Sequence, residues 1–151
     1  MIKYIIVTIF LLILVIIPLF FLIPRKLESI PKFKYYDLNN NEITNLYYTI
    51  EKPLLVVYFS TQCGDCKNVI ANIQSKKIND IYSVYYISSD SEKEVKDFLV
   101  KTNFSNKIKN QTLIDKNKTF QFDFSLGIYI IYPTLLYFDE NGHFLKIDNE
   151  F

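Results

Sequence analysis

The two side chains best suited to chemistry in this sequence are Cys63 and Cys66, its only cysteines, which are separated by two residues. They follow an apolar segment, 53–59, whose β-branched and aromatic residues predict a buried strand. After them, apolar residues recur at helical spacing and lysines follow, which predicts a helix over about 64–77. The pair therefore lies between a strand and the helix that follows it.

This position favours reaction with disulfides. A cysteine at the start of a helix faces unpaired backbone N–H groups and the positive end of the helix dipole, and both stabilise the thiolate that attacks a disulfide. Cys66 comes one helical turn after Cys63, close enough to form a disulfide with it and release a bound substrate thiol. We predict dithiol–disulfide exchange through a redox-active Cys63–Cys66 disulfide, with no separate cofactor.

Other kinds of site have less support in the sequence. A structural zinc site needs about four cysteine or histidine ligands. The chain has one histidine, His143, which we expect to be an exposed residue beside a hairpin turn. We predict no metal site, although a copper ion held by two cysteines and a partner protein stays open. Three glycines could hardly build a phosphate-binding loop, and a net charge of +1 gives no reason to expect a nucleic-acid partner.

The elements that must position the cysteines alternate between strands and helices. Ser91 and, three residues later, Glu94 form a capping-box pattern that predicts the start of a second helix. Strands that alternate with helices and end in a hairpin predict an α/β fold with a mixed central sheet, partly parallel and partly antiparallel, flanked by helices. The predicted strands are 33–38, 54–59, 82–88, 112–115, 134–138 and 143–147.

The first residues of the chain differ from the rest in composition. Residues 4–23 contain one polar side chain, Thr8, and no charge. As a helix they would span about 30 Å, the thickness of a bilayer's hydrocarbon core. A cleaved secretory signal is the competing interpretation, but the segment is longer than a usual signal core and no Ala-x-Ala site follows it. We expect a membrane anchor over 1–23, a linker over 24–32 and one domain over 33–151.

Two signals disagree about the side of the membrane on which the domain lies. Lys3 precedes the apolar segment, whereas Arg25, Lys26, Lys32 and Lys34 follow it, so the positive-inside rule would place the domain in the cytoplasm. A very short N-terminal tail before one long apolar segment is also how exported, anchored domains begin. We follow this layout and expect a single-pass membrane protein with an extracytoplasmic domain.

Several segments together resemble a known family. Residues 59–67 contain both cysteines, 132–135 place Tyr-Pro-Thr before a strand, and 89–91 and 113–118 match a central insert. This combination resembles the thioredoxin-fold proteins, and more narrowly the membrane-anchored, extracytoplasmic thiol–disulfide oxidoreductases of the TlpA/ResA type. The resemblance extends from about residue 33 to the end of the chain.

The resemblance implies roles for particular residues. Cys63 would be the exposed attacking thiol and Cys66 the buried resolving thiol. Pro133 would be a cis-proline packed against the pair, leaving the backbone of Tyr132 beside Cys63 to bind an extended substrate segment. Gly64 and Asp65, which separate the cysteines, would also contact the substrate.

The sequence departs from this family at several positions. Gln62 replaces the usual tryptophan before the first cysteine, and Val57 stands where thioredoxins bury a carboxylate that assists proton transfer. Asp65 replaces a common proline, and a carboxylate so close to Cys63 disfavours its thiolate, which predicts a reducing pair. The chain ends soon after the final hairpin, so we expect the usual C-terminal helix to be missing.

The expected function is that of a protein-disulfide reductase. It would act on thiols and disulfides of exported proteins or of a cytochrome maturation pathway, and an upstream donor protein would supply electrons. Two alternatives stay open. A peroxiredoxin-like thiol peroxidase would use Ser60, although Val56 stands where such a site needs proline. A non-catalytic, membrane-tethered interaction or metal-carrier domain would keep the cysteines as a structural disulfide.

Overall fold

The computed structural model describes residues 12–13, 26–44, 52–127 and 129–150. The predicted anchor, 1–23, therefore lies outside the described residues except for Leu12 and Ile13. Among the described residues, no helix has both the length and the apolar character needed to cross a bilayer.

The described elements are seven strands and five helices. The strands are β1 (Tyr35–Asp37), β2 (Glu42–Ile43), β3 (Leu54–Tyr58), β4 (Ser83–Ser88), β5 (Thr112–Ile114), β6 (Thr134–Phe138) and β7 (Phe144–Asp148). The helices are α1 (Gly64–Ser75), α2 (Ile78–Ile81), α3 (Glu92–Lys101), α4 (Asn106–Asn110) and α5 (Phe120–Asp123). The short elements β2, α2, α4 and α5 were not predicted from the sequence.

All seven strands form one mixed sheet in the order β2-β1-β5-β4-β3-β6-β7. β3 pairs in parallel with β4 and antiparallel with β6, and β4 pairs in parallel with β5. The other pairings, β1 with β2 and β5 and β6 with β7, are antiparallel. The predicted mixed sheet and its central strand are confirmed, and the strand that leads to Cys63 lies between two neighbours.

The sheet has a hydrophobic core on each face, and β3 contributes to both. Leu55, Val57 and Phe59 point into one cluster, which the apolar residues of α1, α3 and α4 cover. Leu54 and Val56 point into the other cluster with Phe120 of α5. Side chains of a strand alternate between the two faces, so a continuous apolar run is what a doubly covered strand requires.

The two longer helices begin where the sequence predicts. In α3 the side chain of Ser91 accepts a hydrogen bond from the Glu94 N–H, and the Glu94 carboxylate accepts one from the Ser91 N–H, so the capping box is confirmed. α1 ends at Ser75, two residues before the predicted end, because Lys77 has a left-handed backbone with φ of 53°. The helical hydrogen-bond pattern cannot continue through that residue.

The predicted C-terminal hairpin is confirmed, and side chains pack over the face of its strand β6. Leu135 and Tyr137 of β6 are buried, Tyr82 packs edge-on against the Tyr137 ring, and the Lys146 ammonium lies 4.6 Å from the centre of that ring. β6 therefore has cover even though no helix follows β7 in the described part of the chain.

Part of the predicted linker, 24–32, packs against the same hairpin. The Ile30 N–H donates to the Gly142 carbonyl over 3.1 Å, and the Phe144 N–H donates to the Glu28 carbonyl over 2.8 Å. Ser29 forms an isolated antiparallel bridge with His143. Residues 28–30 are thus held against the domain by backbone contacts, and the boundaries given above stay predictions.

Candidate active site

Cys63 occupies the N-cap of α1, as the junction between strand and helix predicts. Its backbone is extended, with φ of −89° and ψ of 114°, and its sulfur accepts a hydrogen bond from the Cys66 N–H over 3.0 Å. The sulfur thus satisfies one of the free N–H groups of the first helical turn, where an anion is also favoured by the helix dipole. This environment would stabilise a thiolate on Cys63 once the pair is reduced.

Cys66 differs from Cys63 in its burial. The two residues form a disulfide with their Cα atoms 5.3 Å apart. Cys66 is fully buried in the cluster that contains Val57 and Ile70, whereas Cys63 is only partly buried. Cys63 thus has surface accessible to solvent, whereas Cys66 has none. This is the asymmetry expected of an attacking and a resolving thiol.

The dipeptide between the cysteines is open to solvent. Gly64 and Asp65 are both exposed, and so is Gln62 on the other side of Cys63. A Cβ atom built on Gly64 would meet no atom within 4 Å, so no close contact requires glycine at this position. The surface around Cys63 is therefore accessible to a partner, while the predicted substrate contacts of Gly64 and Asp65 stay predictions.

The loop before β6 lies at the same edge of the sheet as the cysteine pair. The peptide bond between Tyr132 and Pro133 is cis, as the resemblance implies, and Pro133 is buried. Thr134 pairs with Tyr58, the last residue of β3, and its hydroxyl donates to the Ile131 carbonyl over 2.6 Å. Tyr132 packs, like Cys63, against the cluster beneath α1.

Tyr58 connects this loop to the opposite core. Its ring stacks on Phe120 at 3.9 Å between centroids and on Tyr132 at 5.3 Å. Burial raises the pKa of the Tyr58 hydroxyl, which also shares hydrogen bonds with the side chains of Ser89 and Tyr132. The Tyr58 ring thus connects Tyr132 with Phe120 of α5 through ring contacts on both sides.

Asp90 is a site residue that sequence reasoning assigned only to the central insert. One of its carboxylate oxygens accepts hydrogen bonds from the Ser60 hydroxyl, the Thr61 N–H and the Thr61 hydroxyl. Ser60 and Thr61 lie between β3 and Cys63. The available signal was topological: Asp90 follows β4, and the carboxyl ends of adjacent parallel strands meet at one edge of a sheet.

The described residues bring no cluster of three or more His, Cys, Asp or Glu side chains into a metal-binding arrangement. His143 is exposed beside the hairpin turn, and its ring nitrogen lies 3.0 Å from the Asp139 carboxylate, far along β6 from the cysteines. The single histidine of the chain is thus placed with the turn and not with the disulfide.

Comparison with solved structures shows a thioredoxin-like α/β fold. A secreted disulfide oxidoreductase of Mycobacterium tuberculosis, homologous to DsbE of E. coli, is 14% identical with a TM-score of 0.62 over 79% of this chain and 84% of that one. The thioredoxin domain of a thiol–disulfide oxidoreductase from Bacteroides vulgatus is 15% identical, with a TM-score of 0.65 over 84% and 90%. A peroxiredoxin-like protein from Aquifex aeolicus is 11% identical, with a TM-score of 0.63 over 82% and 74%.

The sequence itself gives a narrower assignment than these distant structures. No curated protein matches the chain. The profile of the Redoxin family matches residues 26–151, a stretch that includes both cysteines, Asp90 and the cis-proline. On the strength of this match over most of its length, the chain belongs to the Redoxin family.

Proposed function

We propose that this protein is a membrane-anchored thiol–disulfide oxidoreductase that reduces disulfides of exported proteins through Cys63 and Cys66. The observation that carries the proposal is the unequal burial of two disulfide-bonded cysteines at a helix N-terminus. Cys63 is partly accessible and caps α1, while Cys66 is fully buried behind it. A disulfide with only a structural role would not need one sulfur placed where a thiolate is stabilised and reachable.

The reaction transfers two electrons from the dithiol to a substrate disulfide. The Cys63 thiolate attacks one sulfur of that disulfide, forms a mixed disulfide and releases the other substrate sulfur as a thiolate, which takes a proton. The Cys66 thiol loses its proton and attacks Cys63, the Cys63–Cys66 disulfide forms, and the second substrate thiol leaves. An upstream dithiol protein must then reduce the pair, so the proposal requires an electron-donor partner.

The proposal also includes the direction of electron transfer, from the cysteine pair to the substrate, and the location of the domain outside the cytoplasm. Asp65 lies in the first turn of α1 beside Cys63, where its carboxylate opposes thiolate formation and so favours a reducing pair. The apolar segment 4–23 supports a membrane anchor, and its position next to a very short tail supports an extracytoplasmic domain.

Replacing the buried cysteine tests the exchange mechanism. In Cys66→Ser the mixed disulfide between Cys63 and a substrate can form but cannot be resolved within the protein, because the resolving thiol of Cys66 is absent. We expect the variant, expressed as the full chain in bacterial cells, to accumulate covalent adducts with other proteins that dithiothreitol releases. Non-reducing gels followed by mass spectrometry of the released partners measure this.

The double variant Cys63→Ser with Cys66→Ser is the matched control and should form no adducts. Cys63→Ser alone should form few, because Cys66 is buried. If Cys66→Ser forms no adducts and loses only stability, the cysteines are a structural disulfide and the proposed exchange is wrong.

A thiol peroxidase is the second candidate, because Ser60 lies at the position that such a site would use for a hydroxyl. In the structure this hydroxyl donates to Asp90 over 3.1 Å, and Val56 is buried in β3 where a peroxidatic loop would need proline. Consumption of hydrogen peroxide by the reduced protein at a rate well above that of free thiols would favour this candidate over disulfide reduction.

A further inference from the structure

We propose that Asp90 is a positioning residue that holds the Ser60–Thr61 segment so that Cys63 stays at the N-cap of α1. The inference rests on the proposed function, because it assigns Asp90 a part in the reactivity of Cys63. Asp90 does not belong to β3, α1 or the dithiol motif, and it follows Cys63 by 27 residues in the sequence.

One carboxylate oxygen makes three hydrogen bonds to this segment. Asp90 Oδ2 accepts from the Thr61 N–H over 2.6 Å, from the Thr61 hydroxyl over 2.8 Å and from the Ser60 hydroxyl over 3.1 Å. All three groups are only partly exposed, and hydrogen bonds to an ionised acceptor are stronger than those between neutral groups. Removal of this carboxylate would leave a backbone N–H and two hydroxyls without their acceptor.

The contacts continue from Ser60 to the cysteine. The Cys63 N–H donates to the Ser60 carbonyl over 3.2 Å, which closes a turn between the end of β3 and the helix. The Ser60 hydroxyl oxygen also accepts from the Gln62 N–H over 3.3 Å. Ser60, which is hydrogen-bonded to Asp90, therefore also bonds the backbone N–H groups of Gln62 and Cys63.

Asp90 is itself fixed on its own side. Its N–H donates to the hydroxyl of Ser88, a fully buried residue of β4 that pairs with β5. Ser91, the next residue, is the N-cap of α3. Asp90 thus links the end of β4 to the turn before Cys63. A displacement of about 1 Å at a reacting group is enough to slow a reaction strongly.

The negative charge of Asp90 and its hydrogen bonds would have opposite effects on the reactivity of Cys63. A nearby carboxylate disfavours a thiolate, so loss of the charge alone would make Cys63 more reactive. Asp90→Asn and Asp90→Ala both lack the charge, but only the asparagine keeps a side-chain oxygen that accepts from the Thr61 N–H. The comparison between these two variants isolates the positioning effect.

The test measures the rate at which iodoacetamide alkylates Cys63 in the reduced, full-length protein as a function of pH. We expect Asp90→Ala to react about tenfold more slowly at neutral pH than Asp90→Asn, with its pH profile displaced to higher pH. Asp90→Asn should react at least as fast as the wild type. Thr61→Val removes one hydroxyl and should reduce the rate by a smaller factor, and it provides a readout if Asp90→Ala does not fold.

Ser91→Ala is the matched control. It removes the N-cap of α3, the helix that follows Asp90, and Ser91 makes no hydrogen bond to Ser60 or Thr61 among those found in the described residues. It should lower stability and leave the alkylation profile at the wild-type position. Equal rates for Asp90→Ala and Asp90→Asn, or a shift in Ser91→Ala as large as in Asp90→Ala, would overturn the inference. Iodoacetamide needs no protein substrate, so this result is independent of whether Cys66→Ser traps partners.

Discussion

At the residue scale, position and not residue type separates the roles of the two cysteines. Cys63 caps a helix and is partly accessible, while Cys66, one turn later, is fully buried among apolar side chains. In the reduced protein, a helix N-terminus would favour a thiolate at the first position, and apolar surroundings would disfavour one at the second. The proposed attack through Cys63 and release through Cys66 rest on this difference in environment.

Asp115 is a fully buried carboxylate whose role depends on its hydrogen bonds. It is fully buried and accepts from the Thr119 N–H over 3.1 Å and from the Phe120 N–H over 2.9 Å, which begins α5. Phe120 carries the stacked ring of Tyr58 beneath Tyr132. The aspartate thus supports the loop beside the active site from the opposite core.

Replacement of Asp115 by alanine should destabilise the protein by about 3 kcal/mol, because the buried Phe120 N–H and the partly buried Thr119 N–H both lose their acceptor. Asp115→Asn keeps one acceptor oxygen and should cost about half as much. Chemical denaturation of the full-length variants measures the change in the free energy of unfolding. A loss below about 0.5 kcal/mol in the alanine variant would mean that water replaces the carboxylate.

At the element scale, the C-terminal hairpin has its own local stabilisation. Asp139 accepts hydrogen bonds from the N–H groups of Asn141 and His143 over 2.9 and 2.8 Å. Gly142 has a left-handed backbone with φ of 80°, which the absence of a Cβ permits. These bonds hold the turn that joins β6 and β7, and such a turn sets the register of the two strands.

The hairpin should weaken in acid. The hydrogen bond from the His143 N–H, together with those from the His143 ring and the Asn141 N–H, holds the pKa of Asp139 below its usual value. A group with a depressed pKa stabilises the fold fully above the unfolded value of about 4 and loses that contribution as the pH falls through the folded pKa.

We therefore expect the stability difference between the wild type and Asp139→Asn to shrink from about pH 6 to about pH 3. The asparagine oxygen can accept a backbone hydrogen bond but does not titrate, so the variant supplies the baseline for the other carboxylates. Denaturant midpoints at each pH measure the difference. A difference that stays constant across this range would contradict the role given to the Asp139 charge.

At the scale of the whole molecule, one edge of the sheet collects groups from distant parts of the chain. Cys63 follows β3, Asp90 follows β4, and Tyr132 and Pro133 precede β6. β3 lies between β4 and β6, parallel to one and antiparallel to the other. The end of β3, the end of β4 and the start of β6 therefore meet, and strand order brings the residues of the candidate active site together.

The proposed anchor and reducing direction can be tested together in intact cells. An impermeant maleimide should label Cys63 of the full-length protein without prior reductant, because the domain is proposed to lie outside the cytoplasm with its dithiol reduced. Cys63→Ser is the control and should remain unlabelled, since Cys66 is buried. Labelling that needs permeabilised cells would contradict the orientation, and labelling that needs dithiothreitol would contradict the direction.

The sequence alone determined the features that depend on near neighbours in the chain. The apolar run of β3, the cysteine at the start of α1, the Ser91–Glu94 box and the final hairpin are local patterns, and each appears in the structure. Local hydrogen bonds and side-chain periodicity decide such features, so residues a few positions apart are sufficient to predict them.

Only the tertiary structure decided which distant residues serve the cysteine pair. The bond from Thr61 to Asp90 joins residues 29 positions apart, and that from Tyr35 to Asp123 joins residues 88 apart. The cover that Tyr82 and Lys146 give to β6 depends likewise on strand order. A carboxylate has no periodic pattern that reveals its partner, because the partner is set by which strands become neighbours in the sheet.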